Sequence, residues 1–187
     1  MLDKSVPFLN ILMCRPAGAP IPQYALPEGY SFSMFAPGDE KEWAEIEASV
    51  LEFPRGVDAL VHFQHRFLYA PQEVARRCLF IQNPAGEKIA TATIWWEYSG
   101  KRRDPWVSYV AVKPDYQGLG LSKALLSRLL ELSAEIEGDR KVYLHTQTWS
   151  HRAVKLYEKF GFFKYANNQY EEATALLAEI YSRYPAR

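Results

Sequence analysis

Apolar and polar positions in the centre of the chain predict a strand, a turn and a helix in direct succession. Between Val107 and Val112, β-branched and aromatic residues are enriched, and Val107, Tyr109 and Ala111 alternate with Ser108, Val110 and Val112. This pattern is typical of a strand. Lys113-Pro114-Asp115 ends this strand, because proline has no backbone N–H to donate and fixes its own φ. A glycine-containing turn at residues 117–122 follows. Leucines then recur along one side of a predicted helix at Leu121, Leu125, Leu129 and Leu132.

The chain upstream of this centre alternates between predicted helices and strands. The patterns predict a strand at Tyr30–Phe35, a helix from about Glu40, a helix at Asp58–Leu68 with a continuation at Gln72–Arg77, and strands at Cys78–Gln82 and Lys88–Tyr98. The polar residues Ser99–Asp104 predict a loop before the central strand. Three consecutive strands are therefore expected to form a meander that leads into the glycine turn.

A second strand and helix follow the centre, and the two ends of the chain have their own patterns. Lys141–Trp149 predicts a strand, and a helix is expected from Ser150 until Gly161 ends it. Phe8–Met13 predicts either an extra strand or a segment lying across the body of the protein. Tyr170–Tyr184 predicts an amphipathic helix, which either covers the sheet or contacts a second subunit in a homodimer.

Prolines between Arg15 and Gly29 predict an extended connector without a helix. We therefore expect three parts in the chain. Residues 1–28 form an N-terminal extension and proline-rich connector, residues 29–165 form the main domain, and residues 166–187 form a C-terminal helical extension.

Composition and charge narrow the class of protein. The 187 residues contain 22 Lys and Arg against 22 Asp and Glu, giving a formal net charge of +0. This balance argues against a general nucleic-acid or membrane-surface binder, and no apolar run reaches membrane-spanning length. Cys14 and Cys78 lack metal-ligand spacing, so we interpret them as reduced thiols of a cytoplasmic protein. No signal sequence and no metal site are expected.

The glycine turn before the central helix is typical of an anion site. Backbone N–H groups in the first turn of a helix have no intrahelical partner, and the helix dipole favours negative charge there. Gly118 and Gly120 allow a phosphate to approach the backbone closely. The same kind of turn also joins strands to helices where nothing binds. The chain contains neither G-x-G-x-x-G nor a P-loop, which disfavours dinucleotide and nucleoside triphosphate ligands.

The two strand–helix units together resemble the GNAT superfamily of N-acetyltransferases. Gln117 and Gly120 match the family's acetyl-CoA signature, Gln/Arg-x-x-Gly-x-Gly/Ala. Ala153, Leu156–Lys159 and Gly161-Phe162 match a later motif of the same family, in the family's order. The resemblance covers about residues 29–163.

Two positions depart from the family pattern. Ser122 stands where Gly or Ala is usual, and Ser150 stands where the family often has Asn. Serine is small and can cap a helix, so we expect both departures to preserve the backbone geometry.

The resemblance implies a fold and a reaction. The fold is α/β (α+β), with a mixed, mostly antiparallel central sheet flanked by helices, an N-terminal extension and a C-terminal helix. The reaction transfers an acetyl group from acetyl-CoA, the co-substrate, to a primary amine of a small molecule or peptide by direct attack in a ternary complex. A GNAT-like domain that binds acetyl-CoA without turnover, as a sensor or interaction module, is the alternative. A nucleotide-binding protein ranks last.

The resemblance also implies which residues bind acetyl-CoA. Backbone N–H groups of the glycine turn are expected to bind the pyrophosphate, and the end of the central strand to pair with the pantetheine arm. These cofactor-binding residues are Gln117, Gly118, Leu119, Gly120, Leu121 and Ser122 in the turn, Val110, Ala111 and Val112 in the strand, and Ser150 and Tyr157 in the later motif.

Candidates for proton transfer follow from the same comparison. Tyr157 matches the family tyrosine that protonates the departing thiolate, although a core aromatic residue is the competing interpretation. Some members carry a glutamate base at the positions of Trp106–Ser108, and this chain has none there. Glu97 is our first candidate for the base and His145 the second, and a chain of water molecules would need neither residue.

An aromatic cluster surrounds the central motif. It consists of Trp95, Trp96, Tyr98, Trp106 and Trp149. These rings either line the acceptor pocket or pack in the core. Because neighbouring residues of a strand point to opposite faces, we expect Trp95 and Trp96 to diverge.

Overall fold

The computed structural model describes residues 2–165 and 167–183, except for the side chain of Ser99. Within these residues, seven strands form one sheet: β1 (Asn10–Arg15), β2 (Ser31–Met34), β3 (Cys78–Gln82), β4 (Lys88–Ser99), β5 (Arg102–Val112), β6 (Val142–Gln147) and β7 (Phe163–Tyr165). The strand order is β2-β3-β4-β5-β6-β1-β7. The β5–β6 pair is parallel and every other neighbouring pair is antiparallel.

Six helices of the described residues flank this sheet. They are α1 (Glu40–Ser49), α2 (Gly56–Phe67), α3 (Pro71–Arg77), α4 (Leu121–Glu137), α5 (His151–Lys159) and α6 (Tyr170–Arg183). The predicted mixed, mostly antiparallel sheet flanked by helices is therefore confirmed. The last predicted residue of the C-terminal helix, Tyr184, lies outside the described residues. In the described part of the chain, no helix is both long and apolar enough to cross a membrane.

Two clusters of buried apolar side chains cover the two faces of the sheet. One cluster includes the leucines of α4 and buried residues of α5 and α6. The other is rich in aromatic residues from α1 and α2, with Trp43 and Phe63 fully buried. Ile94 of β4 belongs to the first cluster and Trp95 to the second. Because adjacent strand residues point to opposite faces, the clusters lie on opposite sides of the sheet.

The N-terminal strand β1 lies inside the sheet, between β6 and β7. It pairs antiparallel with β6 from Asn10 opposite Gln147 to Arg15 opposite Val142. Of the two alternatives for this segment, the structure shows the extra strand. The three-part division of the chain stays a prediction, but the segment assigned to an extension contributes an interior strand.

The C-terminal helix covers this part of the sheet from the same chain. The backbone N–H of Asn10 donates to the side-chain oxygen of Gln169 just before α6, at 2.8 Å. Tyr181 donates its hydroxyl to the backbone oxygen of His151, at 2.9 Å. Ala173, Leu177 and Ile180 of α6 are buried. The helix therefore packs on the sheet of its own chain, which is the first of its two predicted roles.

The polar loop predicted at residues 99–104 is a hairpin end that is shorter than expected, because β4 and β5 continue through most of it. Their pairing reaches Ser99 opposite Arg102, which leaves a tight turn at Gly100-Lys101. Charge pairing explains why polar residues remain in the ladder. The carboxylate of Asp104 is buried and lies 2.8 Å from Nε of Arg102 and 3.4 Å from a guanidinium nitrogen of Arg140.

The interior position of β1 predicts a large cost for truncating its buried face. Met13 is fully buried between the sheet and the α4 side of the core. Met13→Ala is expected to lower the free energy of unfolding by about 2–5 kcal/mol, because it leaves a cavity in a packed core. Urea denaturation measures this change. Leu12→Ala, at a partly exposed position of the same strand, is the control, and an equal loss in both variants would contradict the interior packing of β1.

Candidate active site

A β-bulge interrupts the ladder between β4 and β5. Thr91 pairs with Ala111 and Thr93 pairs with Ser108, so Tyr109 and Val110 together oppose a single residue of β4. Tyr109 has a φ of +53°, in the left-handed region that non-glycine residues rarely adopt. Such a bulge bends its strand and changes the direction of the following side chains.

Aromatic contacts and a hydrogen bond hold Tyr109 in this conformation. Its hydroxyl oxygen lies 2.6 Å from Nε2 of His62 on α2. Its ring meets that of Trp43 on α1 edge-on, with centroids 5.1 Å apart. Burial and the nearby carboxylates raise the pKa of Tyr109 to about 12, so its phenol is neutral. Helices α1 and α2 therefore brace the bulge from one face of the sheet.

The parallel strands β5 and β6 pair at two positions and then separate. Trp106 lies opposite Tyr143 and Val107 opposite Leu144. Beyond these pairs both strands continue, and their residues line the two walls of a cleft of about 940 Å³. Backbone groups of Val110–Val112 on one wall are thereby available to a ligand instead of to a neighbouring strand.

The glycine turn lies at this cleft and opens helix α4. Gly118 and Gly120 have φ values of +87° and +80°, and a Cβ built on either would meet no atom within 4 Å. Gly120 is the residue before the first turn of α4, and no side chain caps that turn. Unpartnered N–H groups and open space at a helix N-terminus suit a phosphate group. Lys123 and Arg152 add positive charge to the same cleft.

Most of the predicted cofactor-binding residues meet at the cleft. Those that line it are Val110, Ala111, Val112, Gln117, Gly118, Gly120, Leu121, Ser122, Ser150 and Tyr157. Leu119 is the exception among them, since its side chain is half exposed and is not part of the cleft wall. The side chain of Gln117 donates to the backbone oxygen of Val112 at 2.9 Å, which ties the turn to the end of β5.

Tyr157 on α5 is buried and lines the cleft. Burial raises the pKa of its phenol, and the carboxylates of Glu47 and Glu52 raise it further. The hydroxyl therefore carries its proton at neutral pH, as a general acid must.

Both predicted base candidates also line the cleft, in different environments. Glu97 on β4 forms an ion pair with Arg66 of α2. His145 lies on β6, and burial lowers its pKa, which favours the neutral imidazole. The structure thus brings Tyr157, Glu97 and His145 to one cleft, although they come from three different elements.

The aromatic cluster is divided between the core and the surface. Of its five residues, all of which the structure describes, Trp106 alone lines the cleft. The expectation that Trp95 and Trp96 diverge is wrong, because their rings stack with centroids 4.2 Å apart. Trp96 lies within cation–π distance of two guanidinium groups, those of Arg77 at 4.8 Å and Arg103 at 4.9 Å, which accounts for its turn towards Trp95.

The sequence analysis missed three charged residues of the cleft wall that lie outside the two strand–helix units: Glu47, Glu52 and Arg66. Glu47 had a detectable signal. Trp43, Ile46 and Val50 define the apolar face of α1, and Glu47 falls on that same face at helical spacing. A carboxylate at a core position is unusual and points to a functional site. The two other residues had no comparable signal, because charged residues in loops and on exposed helix faces are common.

Comparison with known proteins identifies the family. Residues 40–162 match the model of the Acetyltransferase (GNAT) family. The chain belongs to this family. The glycine turn and Tyr157 both lie within the matched residues.

Curated relatives and solved structures agree with this assignment. The mycothiol acetyltransferase of Salinispora arenicola is 32% identical over 158 residues, which cover 81% of this chain and 50% of the relative. The glucosamine 6-phosphate N-acetyltransferase of Trypanosoma brucei brucei is 33% identical over 87 residues, covering 45% of this chain and 56% of the relative. A GCN5-related N-acetyltransferase from Sphaerobacter thermophilus has the same fold, with a TM-score of 0.65, 21% identity and coverage of 83% of this chain and 48% of that one. The chain spans about half the length of the mycothiol acetyltransferases it matches.

The glycine turn gives a test of phosphate binding. Gly120→Ala is expected to weaken the binding of CoA by about tenfold or more, because an alanine at positive φ distorts the N–H groups at the start of α4. Gly138→Ala is the matched control, since Gly138 ends the same helix with a φ of +77° and lies away from the cleft.

Both substitutions are expected to lower the free energy of unfolding by about 1–3 kcal/mol through backbone strain, since both glycines have positive φ. Urea denaturation measures the stability and calorimetric titration measures the affinity for CoA. Equal affinity in the two variants would mean that the glycine turn does not bind phosphate.

Proposed function

We propose that this protein transfers an acetyl group from acetyl-CoA to a primary amine of a small molecule or peptide by direct attack in a ternary complex. The observation that supports the proposal best is the meeting of the glycine turn and Tyr157 at one cleft. Family membership supports the use of acetyl-CoA. The bulge at Tyr109 supports the proposal further. It lies where β5 and β6 separate, and a thioester would lie between these two strands.

The chain's own residues then have separate tasks. N–H groups from Gln117 to Ser122 bind the pyrophosphate, and Lys123 and Arg152 add charge complementarity. Backbone groups of Val110–Val112 pair with the pantetheine arm, and an N–H there stabilises the oxyanion that forms on the carbonyl oxygen. These contacts require neither a metal ion nor a charged side chain at the reacting carbon.

Tyr157 is the proposed acid for the departing thiolate. Its raised pKa keeps the phenol protonated, and a thiolate whose conjugate acid has a pKa of about 8.5 accepts that proton when the two atoms meet. Glu97 and His145 remain the sequence-based candidates for the base. The carboxylate of Glu97 is already paired with the guanidinium of Arg66, which occupies the group that would have to receive the proton.

The acceptor is proposed to be a small amine. The relatives carry the names of mycothiol, spermidine, spermine and glucosamine 6-phosphate acetyltransferases. Three carboxylates line the cleft near the bulge, those of Glu47, Glu52 and Glu97, and negative charge suits an amine that binds as an ammonium ion. A cytoplasmic location, a homodimer, and the lack of nucleic-acid and membrane partners stay predictions.

Release of the CoA thiol from acetyl-CoA tests this function. A panel of spermidine, glucosamine 6-phosphate, an amino thiol and a short lysine peptide covers the main amine classes. Tyr157→Phe is expected to lower kcat tenfold or more, equivalent to about 1.4 kcal/mol of barrier, while the affinity for CoA stays unchanged. The loss is expected across the neutral pH range, because the raised pKa keeps Tyr157 protonated throughout it.

Tyr181→Phe is the control for this experiment, because it also removes a hydroxyl that is hydrogen-bonded in the structure but lies outside the cleft. Thermal stabilisation by acetyl-CoA without thiol release from any amine would contradict the enzymatic function. That result would favour an acetyl-CoA-binding sensor or interaction module.

A further inference from the structure

Helix α1 places an unusual carboxyl group at the cleft. Glu47 is 2% exposed. Its Oε1 atom is buried and has no hydrogen-bond partner among the described residues. Burying an ionisable group without a partner is unfavourable, so such groups are rare in folded proteins. This one also belongs to the wall of the cleft, where a ligand can supply the missing partner.

The surroundings of Glu47 are acidic and aromatic. The titratable and charged groups around it are Glu52 after α1, Lys4 before β1, which acts on Glu52, His62 and Arg66 on α2, Cys78 on β3, Glu97 on β4, Tyr109 on β5 and Tyr157 on α5. Arg66 is already paired with Glu97. His62 is bonded to Tyr109, and burial together with Arg66 favours its neutral form. The cations among these groups therefore have other partners, and none of them neutralises the carboxylate of Glu47.

We propose that Glu47 is the base that removes a proton from the ammonium form of the acceptor amine. This inference rests on the proposed function and names a residue for its unassigned step. An ammonium ion is the partner that the unpaired carboxyl lacks, and it must lose a proton before it can attack. Glu97 is less suited because Arg66 holds its carboxylate, and His145 lies on the other wall, on β6.

The electrostatics agree with this geometry. Burial and the charge of Glu52 raise the pKa of Glu47 well above that of an exposed glutamate. A base with a raised pKa accepts a proton more readily, provided that the pH is high enough to ionise it. Glu47 also raises the pKa of Tyr157, so the base and the acid lie close enough to influence one another.

The proton and electron changes balance in the proposed sequence. Glu47 takes one proton from R–NH3+, and the nitrogen lone pair then forms the C–N bond to the thioester carbonyl carbon. The C–S bond breaks, and its electron pair leaves with the sulfur. Tyr157 donates its proton to that thiolate and regains one from the nitrogen of the new amide. Glu47 finally releases its proton to solvent, so one proton leaves for each amide and each CoA thiol formed.

Glu47→Gln tests the role of this carboxyl, with the amine of the panel that wild-type enzyme acetylates fastest. Gln keeps the shape but cannot accept the proton, so kcat is expected to fall by about 100-fold or more. Glu45→Gln is the matched control, because Glu45 is an exposed residue of the same helix. Glu97→Gln is compared directly, and a smaller loss there is expected.

The pH dependence separates a base from a structural residue. As pH rises towards the pKa of the amine, more acceptor is present as the free base, which needs no proton acceptor. The deficit of Glu47→Gln relative to wild type is therefore expected to shrink by up to about tenfold for each pH unit. In wild-type enzyme, kcat/KM is expected to fall as the pH drops through the pKa of Glu47. The Gln variant is expected to lack that inflection and to rise steadily with pH until the pKa of the amine is reached.

A fold control accompanies these rates. A carboxyl whose pKa is raised by folding destabilises the protein where it is ionised, above the ordinary pKa of glutamate. At pH 8 the melting temperature of Glu47→Gln is therefore expected to equal or exceed that of wild type. If that variant does not fold, Glu47→Asp is measured instead, and it is expected to keep the acidic limb with a reduced kcat.

Four outcomes would overturn the inference. Thiol release by Glu47→Gln at the wild-type rate would show that Glu47 is not the base, although the acetyltransferase function would stand. A raised KM with unchanged kcat, or a deficit that does not vary with pH, would limit Glu47 to binding or to structure. No turnover of any amine by the wild type would remove the proposed function and this inference together.

Discussion

The separation of β5 from β6 is the constraint on which the rest of the site depends. A parallel pair that stayed hydrogen-bonded to its end would leave no backbone group free and no space between the strands. The bulge at Tyr109 bends β5 away from its partner, and the aromatic core under α1 and α2 holds that bend. The opening between the two strands therefore has one structural origin, a single extra residue in a ladder.

The two helices that brace the bulge also supply the side chains of the proposed acceptor side. His62 and Arg66 come from α2, and Glu47 comes from α1. The phosphate side is built differently, from backbone N–H groups and glycines at the start of α4. One part of the cleft therefore depends on main-chain geometry and the other on the identity of a few side chains. Relatives with different acceptors are expected to differ mainly in the second part.

The sequence predicts the parts of this protein that depend on local patterns. The central strand, the glycine turn and the leucine face of α4 follow from spacing alone, and the family motifs add the cofactor residues and Tyr157. The bulge could not be predicted, because Tyr109 occupies an ordinary strand position and its positive φ results from contacts with distant residues. The continuation of β4 and β5 through residues 99–104 was missed for a similar reason, since the ion pairs of Asp104 with Arg102 and with the distant Arg140 stabilise polar residues there.

The position of β1 has a consequence for how the chain folds. Leu9 donates its backbone N–H to the hydroxyl of Thr148, a residue 139 positions later. During synthesis β1 emerges before β6, its neighbour, and must wait for it, and β7 joins the sheet through β1. Contacts of such long range slow folding and leave strand edges exposed in the meantime. A truncation or a rigid fusion before β1 would therefore disturb the closing step of folding.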